Sequence, residues 1–330
     1  MLSKIPKKVG LHDLTPRDGF QREEIYIPVA AKLFIIEKLI DAGYKHIEVT
    51  NLANPKNIPQ FADADELIGK LPRVDGVEYT VITINQKALD RAISHKQAGA
   101  NIHRILINTS TSELHHKANS GKTHAEAWEF NKKAVKQAQA AGLKVCGCVT
   151  TIFGCPFAGK MQLGKAWDWV DRYMELGVDD IEHADHDGEC TPDRAYEYFT
   201  RVMEKYPDPK KHVFHIHDSR GMGLGAYYAA LTAGVTQFES TLGGIGGQPA
   251  NILDRVPVPG TGEYYVTARR SGLVCTEDLV SMLDAMYIDT GIDVRKVFSL
   301  GRRVEQILGR NLWSFASTAG KLPFGYTEVE

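Results

Sequence analysis

The segment Val213–Ser219 contains two histidines, His215 and His217, within a run of apolar residues. The pattern predicts a buried strand, on which residues two apart share one face and lie about 7 Å apart along the chain. One metal ion can therefore contact both imidazoles from one side. Two buried histidines that only hydrogen bond within the core are an equally good explanation of the pair alone. A metal site requires further ligands at the same place.

The elements that would supply them follow a strand–loop–helix pattern along the chain. Apolar runs of strand length alternate with segments of helical periodicity eight times over about 280 residues, without a break in composition, and Val213–Ser219 is the seventh strand. This alternation predicts a (β/α)8 TIM barrel with extra C-terminal helices at about 290–330, in a single catalytic domain spanning 1–330. A doubly wound sheet is the competing architecture.

In such a barrel the active site lies at the carboxyl ends of the strands. Asp18 follows the first predicted strand, Glu48 lies near the end of the second, and Asn251 lies in the loop after the eighth. Strands seven, eight and one are neighbours in a closed barrel. We therefore predict one metal ion held by Asp18, His215, His217 and Asn251, with coordination positions left for substrate.

Several motifs around these residues are shared with a known family. Thr15–Gln21 resembles the R-D-G-x-Q loop of the metal-dependent lyases and acyl-CoA condensing enzymes related to 3-hydroxy-3-methylglutaryl-CoA lyase and isopropylmalate synthase. The segments Ile47–Asn51, Gly154–Phe157, His215–Asp218 and Gly243–Pro249 are similar to the same group, and the resemblance covers almost the whole chain.

The resemblance implies a divalent metal ion, Mg²⁺ or Mn²⁺, with Zn²⁺ or Co²⁺ as alternatives. It also implies that Arg17 stabilises an enolate and that Glu48 holds Arg17 or assists proton transfer. Gln21, which ends the arginine loop, is a candidate substrate-binding residue. The implied reaction is cleavage of a hydroxymethylglutaryl-CoA-like or citramalyl-CoA-like hydroxyacyl-CoA to an acyl-CoA and an oxo acid.

The sequence departs from the lyases in the loop after strand eight. A cysteine thought to donate a proton is replaced by Gln248, whose amide cannot act as a general acid, so we assign Gln248 to substrate binding. The metal-binding asparagine of the lyases corresponds to Leu273, which has no ligand atom. The spacing of the condensing enzymes instead places an asparagine at Asn251, which is why Asn251 is chosen here.

Two further regions supply candidate residues. Strand six ends in Asp185 and His186, with Glu182 close by, and a general base or acid is expected among them; the alternative is that half of these side chains point outward. The segment 248–275 is a candidate lid, in which Arg269 and Arg270 would meet a carboxylate or phosphate of the substrate. A surface loop with solvated charges explains that segment equally well.

Composition limits the partners. Lys and Arg number 39 against 41 Asp and Glu, a net charge of −2, which excludes the basic surface typical of nucleic-acid binding. No membrane-spanning run or signal peptide is evident, and the five cysteines suit a reducing compartment, so we expect a cytoplasmic protein that forms a homodimer or acts alone. A condensing synthase and a non-catalytic ligand-binding barrel remain the alternative functions.

Overall fold

A computed structural model describes residues 5–56, 58–247 and 271–320, and the backbone of 252–253 and 256–257. Eight parallel strands in this part of the chain form a closed barrel. They are β1 Gly10–Asp13, β2 His46–Asn51, β3 Glu78–Ile82, β4 Arg104–Ser110, β5 Lys144–Thr150, β6 Asp180–Asp185, β7 His212–Ile216 and β8 Gln237–Ser240. Each strand pairs with its neighbours in sequence, and β1 pairs with both β2 and β8, which closes the barrel. The predicted fold class is confirmed.

Helices surround the barrel and follow its strands. They are α1 Val29–Asp41, α2 Ala64–Lys70, α3 Gln86–Gln97, α4 Glu113–Ser120, α5 His124–Ala140, α6 Leu163–Leu176, α7 Pro192–Lys205, α8 Gly223–Thr232, α9 Thr276–Ala285, α10 Val294–Leu308 and α11 Phe315–Ala319. Local sequence fixes several of their ends. Thr123 and Glu126 form a capping box at the start of α5, and Gly177, with φ of 81°, ends α6.

The loop between β4 and α5 differs from the prediction. Its polar composition predicts a long irregular connection, whereas the structure forms α4 there. The Ser112 side chain accepts a hydrogen bond from the backbone N–H of His115 at the start of α4, and Gly121 ends the helix with φ of 71°. A good cap at each end stabilises a short helix that has little apolar periodicity.

The main hydrophobic core lies between the strands and the surrounding helices, where the outward-facing strand residues pack. The barrel interior holds only a small apolar cluster, made of Ile82, Leu106, Cys146, Cys148 and Ala184. Most of the other side chains in the interior are ionisable or polar, and several belong to the site described below. A polar interior is costly unless its groups are paired, so it indicates that the interior serves the site.

The seventh strand ends earlier than its apolar run predicts. Strand β7 ends at Ile216. His217 N–H still donates to Asp185 O of β6 (2.9 Å), but Asp218 N–H donates to Gly272 O (2.8 Å), outside the barrel strands. The chain at 271–275 thus lies against the carboxyl end of β7. Among the described helices, none is long and apolar enough to cross a membrane.

Candidate metal and active site

The two histidines of β7 lie side by side at the carboxyl end of the barrel. Both are buried, and their ring centroids are 5.0 Å apart. Nδ1 of His215 lies 2.8 Å from Oε2 of Glu239, and Nδ1 of His217 lies 2.7 Å from the carbonyl oxygen of Ser271. Since both oxygens accept hydrogen bonds, each Nδ1 is the protonated nitrogen and each Nε2 carries a lone pair.

Nε2 of His215 has no hydrogen-bond partner among the described residues, although it is fully buried. A buried imidazole nitrogen that lacks a partner is costly unless something binds it. Burial, followed by the charge of His217, also lowers the pKa of His215 well below its usual value, so the ring is held in the neutral form that binds metals. These features fit a divalent metal ion.

A third imidazole joins the pair. The ring centroid of His186, the residue after β6, lies 5.5 Å from that of His215 and 5.4 Å from that of His217. One ligand atom from each of the three residues lies within 4.8 Å of the other two. The sequence predicts His186 as a proton-transfer residue, which stays a prediction. In the structure His186 belongs to the one histidine-only group among the described residues that could hold a metal ion.

Asp18 adjoins this group without being part of it. It lies in the short π-helical turn Thr15–Gly19 directly after β1. Its Oδ1 accepts a hydrogen bond from Gly247 N–H (3.1 Å), and its Oδ2 accepts from Arg17 Nη1 (2.6 Å) and Gln21 Nε2 (3.1 Å). Burial would raise the pKa of Asp18, but Arg17 and the two β7 histidines hold it below its usual value. Asp18 is therefore an anion beside the imidazoles.

Arg17 is held between two carboxylates. Its Nη1 contacts Asp18 and its Nε donates to Oε1 of Glu48, on β2, and Arg17 is only 7% exposed. Burial opposes the charged form of Arg17, but Glu48 and Asp18 raise its pKa above the ordinary value. The two contacts thus fix the position and orientation of the guanidinium. A cation held in this way can stabilise a negative charge that develops during a reaction.

Carboxylates fill the barrel interior beneath the histidines. Glu182 on β6 lies 3.8 Å from Nδ1 of His215, on the same side as Glu239. Burial, followed by repulsion from Glu239, raises the pKa of Glu182 well above its usual value. Burial also raises the pKa of Glu239, the carboxylate in contact with His215, to about 7. A cavity of about 20 Å³ lies in this layer, enough for one water molecule.

The side chains of β6 point alternately into and out of the barrel, as expected for a strand. His183 points outward, where it contacts Tyr198 of α7 (2.9 Å) and His212 (3.0 Å), so it has a structural role. Both oxygens of Asp185 accept backbone hydrogen bonds, from Asp187 (3.3 Å) and Cys190 (2.7 Å). Asp185 thereby fixes the loop that carries His186, and its predicted catalytic role stays a prediction.

Four predicted residues, Gln248, Asn251, Arg269 and Arg270, lie outside the described residues. The same is true of most of the candidate lid. Its last residues, 271–275, are fixed to the barrel: Leu273 forms a bridge with His217, and Val274 N–H donates to Ile216 O (3.2 Å). Leu273 is fully buried.

A cleft of about 370 Å³ opens beside the site, a volume typical of small-molecule sites. Gly246, Ser271 and Gly272 line it on the barrel side. Its wall carries two cationic and two acidic residues, Arg22, Arg310, Glu23 and Glu24, and Arg310 forms an ion pair with Glu23. The glycines matter because a side chain at Gly246, where φ is 108°, would place Cβ 2.5 Å from Asp18 Oδ1. The cleft and the site therefore meet at the loop that follows β8.

Two contacts of the site were not predicted from the sequence. Glu239 orients His215, and Ser271 orients His217 through its backbone carbonyl. The available signal for Glu239 was an acidic residue inside a short strand that must face the barrel interior. No signal in the sequence indicates the carbonyl of Ser271, since any residue has one.

Together these features define a closed (β/α)8 barrel with a buried histidine group, a fixed arginine and a carboxylate at the active-site end. The family model HMGL-like matches residues 8–304, so the chain belongs to this family. The predicted family resemblance is confirmed.

Similar proteins agree with this assignment. Hydroxymethylglutaryl-CoA lyase YngG of Bacillus subtilis (strain 168) is 30% identical over 318 residues, which cover 95% of this chain and 99% of that protein. The mitochondrial hydroxymethylglutaryl-CoA lyase of Homo sapiens is 31% identical, covering 96% and 91%. The structure of an HMG-CoA lyase from Acinetobacter baumannii, in complex with coenzyme A and 3-methylmalate, superposes with a TM-score of 0.86, at 30% identity and coverages of 96% and 97%.

Proposed function

We propose that this protein is a carbon–carbon lyase that cleaves a hydroxymethylglutaryl-CoA-like or citramalyl-CoA-like hydroxyacyl-CoA to an acyl-CoA and an oxo acid. The observation that carries the proposal is the placement of Arg17 between Asp18 and Glu48, beside His215 and His217. The relatives named as hydroxymethylglutaryl-CoA lyases span nearly the whole chain and support the same reaction.

The reaction requires a base, a cation and a proton source. The substrate hydroxyl loses its proton, the neighbouring carbon–carbon bond breaks as a carbonyl forms, and the electron pair passes to the departing enolate, which then takes up a proton. A divalent metal ion held by His215 and His217 would supply Lewis-acid chemistry that makes the hydroxyl more acidic. The base is Asp18, whose charge interacts with both β7 histidines, or Asp185 of β6, and a comparison of the D18N and D185N variants decides between them.

Arg17 is the residue best placed to stabilise the enolate. Its Nε and Nη1 are used by Glu48 and Asp18, and no described residue engages its Nη2. A donor fixed before the reaction begins needs no reorganisation as negative charge develops, which is why such contacts contribute strongly to catalysis. Gln21 donates to both Asp18 and the Gly247 carbonyl oxygen (2.6 Å), so it fixes the Asp18 loop against the loop after β8.

The cleft beside the site suits the acyl-CoA. Its volume accommodates part of such a ligand. Arg22 on its wall is a cation that can contact a phosphate, whereas Arg310 is paired with Glu23. Ser271 connects the two regions, because its carbonyl oxygen holds His217 and its hydroxyl accepts a hydrogen bond from Arg22. We assign the polar tail of the substrate to this cleft and the reacting carbons to the barrel end.

An assay of the purified protein tests the proposal. Protein is incubated with Mn²⁺ or Mg²⁺ and each hydroxyacyl-CoA, and release of acetyl-CoA is followed by mass spectrometry. We expect cleavage of at least one of the two substrates, abolished by D18A and unchanged in the surface variant K70A. Release of free CoA from acetyl-CoA only when a 2-oxo acid is added would instead identify a condensing synthase. Neither reaction, with ligand binding retained, would identify a non-catalytic barrel.

Other properties follow from the proposal without being tested by it. The native metal ion, a cytoplasmic location and a homodimer stay predictions. Metal analysis of the protein as purified, cell fractionation and light scattering respectively measure them.

A further inference from the structure

We infer that His186 is a metal ligand, so that the protein binds its ion through three imidazoles rather than two. The inference rests on the metal-dependent function proposed above and deepens it. The sequence indicates His186 only as a candidate for proton transfer. Its position in the structure, level with His217 and facing His215, is that of a ligand.

The pairing of β6 with β7 brings the three residues together. In this register Ala184 lies opposite His215 and Asp185 lies opposite Ile216. The hydrogen bond from His217 N–H to Asp185 O continues the pairing by one step, so His186 follows β6 where His217 follows β7. Adjacent parallel strands thus deliver one histidine from β6 and two from β7 to the same end of the barrel.

The spacing of the three rings suits one ion. The three ligand atoms lie within 4.8 Å of one another. Metal–nitrogen distances of about 2.0–2.1 Å require separations of roughly 3 to 4 Å between ligand nitrogens, which small side-chain rotations provide. Two of the rings already present Nε2 through fixed Nδ1 contacts with Glu239 and Ser271.

The third ring is also restrained. On its other side the ring of His186 packs against His115, with centroids 6.2 Å apart, and His115 packs in turn against Phe157 (6.3 Å). Asp185, directly before His186, is tied to the backbone of its own loop. These contacts restrain the His186 ring but leave its nitrogens available to an ion, since no described residue hydrogen bonds to them.

Leu273 contributes no ligand atom to this set. Leu273 lies at the position where the family resemblance expects an amide ligand, and its side chain has no atom that can bind a metal. Its backbone is instead paired with His217. His186 lies beside His215 and His217 and offers a further nitrogen ligand, and Asp18 supplies a nearby carboxylate.

The chemistry of the set predicts which ion it prefers. Imidazole suits Zn²⁺, Co²⁺, Ni²⁺ and Fe²⁺, whereas Mg²⁺ prefers oxygen ligands and retains water. A site with three imidazoles and a carboxylate should therefore bind Co²⁺ or Zn²⁺ far more tightly than Mg²⁺. Removing His186 should weaken the binding of Co²⁺ and leave that of Mg²⁺ little changed.

The test measures metal binding without substrate. The chelator-treated full-length protein is titrated with Co²⁺, and binding is followed by calorimetry and by the visible absorption of the bound ion. We expect the wild type to bind one Co²⁺ per chain. H186A should lower the Co²⁺ affinity roughly 100-fold or more, whereas loss of an outer-sphere partner costs about 10–100-fold. H186A should also change the absorption spectrum of the bound ion. Added imidazole should restore part of the wild-type absorption to H186A.

Matched variants and outcomes separate this inference from the proposed function. H95A removes an imidazole of α3 that pairs with Asp65 and should keep the wild-type spectrum, while thermal unfolding confirms that both variants fold. Wild-type affinity and spectrum in H186A would overturn the ligand role and leave the lyase proposal intact. If H186A instead lost only the turnover rate at saturating metal, with an altered pH profile, proton transfer would be its role. Failure of the wild type to bind Co²⁺ would overturn the metal site itself.

Discussion

Oε2 of Glu239 lies 2.8 Å from Nδ1 of His215, and this contact decides which nitrogen of the imidazole faces the site. Strand β8 supplies the carboxylate and β7 supplies the histidine, so the barrel closure that pairs the two strands also orients the ring. A carboxylate behind a ligating histidine fixes its tautomer and makes it a stronger ligand.

The variant E239Q should therefore weaken metal binding while the protein stays folded. The amide keeps the shape of the side chain but loses the negative charge that holds Nδ1–H. We expect the affinity for Co²⁺ or Mn²⁺ to fall about 10–100-fold, measured by calorimetry. E129Q, on the exposed face of α5, is the control and should bind like the wild type. Equal affinities in the two variants would contradict the orienting role.

Replacing Arg17 by lysine should lower the rate more than substrate binding. Lysine keeps the charge but cannot contact Asp18 and Glu48 through two nitrogens of one plane. We expect kcat for hydroxyacyl-CoA cleavage to fall roughly 100–1,000-fold, the usual cost of losing a fixed donor to an oxyanion, with a smaller change in KM. R73K, at an exposed arginine, serves as the comparison. A KM effect without a kcat effect would show that Arg17 binds substrate only.

The variant G246A should damage both stability and activity. Gly246 has φ of 108°, and a Cβ atom there would lie 2.5 Å from Asp18 Oδ1. We expect the free energy of unfolding to fall by about 1–3 kcal/mol, as for a residue forced into a disfavoured backbone conformation, together with loss of cleavage.

G69A provides the matched comparison for G246A. Gly69 lies in α2, and nothing stands within 4 Å of where its Cβ would be. Alanine is the better helix former, so G69A should raise the free energy of unfolding by about 0.5–1 kcal/mol. Chemical denaturation of the two variants measures both changes. Unaltered activity in G246A would show that the loop after β8 does not constrain Asp18.

Lys32 offers a test of the barrel's packing away from the site. Its ammonium group is fully buried in α1 and donates to Asp63 Oδ1 (2.7 Å) and to the carbonyl oxygen of Gln60 (2.5 Å). K32M leaves the Asp63 carboxylate buried without its partner, which should cost about 3–5 kcal/mol in the free energy of unfolding. K38M, at an exposed position of the same helix, should change it little. Adding D63L to K32M should recover much of the loss.

Glu78, at the opposite end of the barrel, makes the stability of the protein depend on pH in the acid range. Burial alone would raise the pKa of Glu78, but the hydrogen bond from Lys144 and the charges of Arg104 and Lys144 lower it to about 2. Because this pKa lies below the unfolded value near 4.5, the stabilisation is complete above pH 4.5 and is lost as the pH falls towards 2.

The variant E78Q measures this contribution. Glu78 is only half buried, so after allowance for solvent screening we expect E78Q to be about 1–2 kcal/mol less stable than the wild type at pH 6. The difference should shrink as the pH is lowered from 4.5 to 2 in denaturant titrations. E66Q, in an exposed ion pair with Lys70, should show a small difference that hardly depends on pH. A constant difference for E78Q would exclude the linkage.

The barrel could be predicted from the sequence because the residue patterns that specify its strands and helices are local. Each strand and helix is encoded by its own apolar periodicity, and eight repeats without a break leave few ways to arrange them. The same holds for the histidine pair of β7, whose shared face follows from a spacing of two. The end of β7 was predicted less well, because Asp218 leaves the pairing with β6 and donates to Gly272, which is distant in sequence.

The sequence by itself determined the fold and the presence of histidine, arginine and carboxylate at one end of it. Only the tertiary structure decided how those groups are combined. It placed His186 with His215 and His217, turned Asp18 towards Arg17 and Gln21, and put Glu239 and the Ser271 carbonyl behind the histidines. The physical reason is that strand register and loop closure set these distances, and neither is encoded in the spacing of residues along one segment.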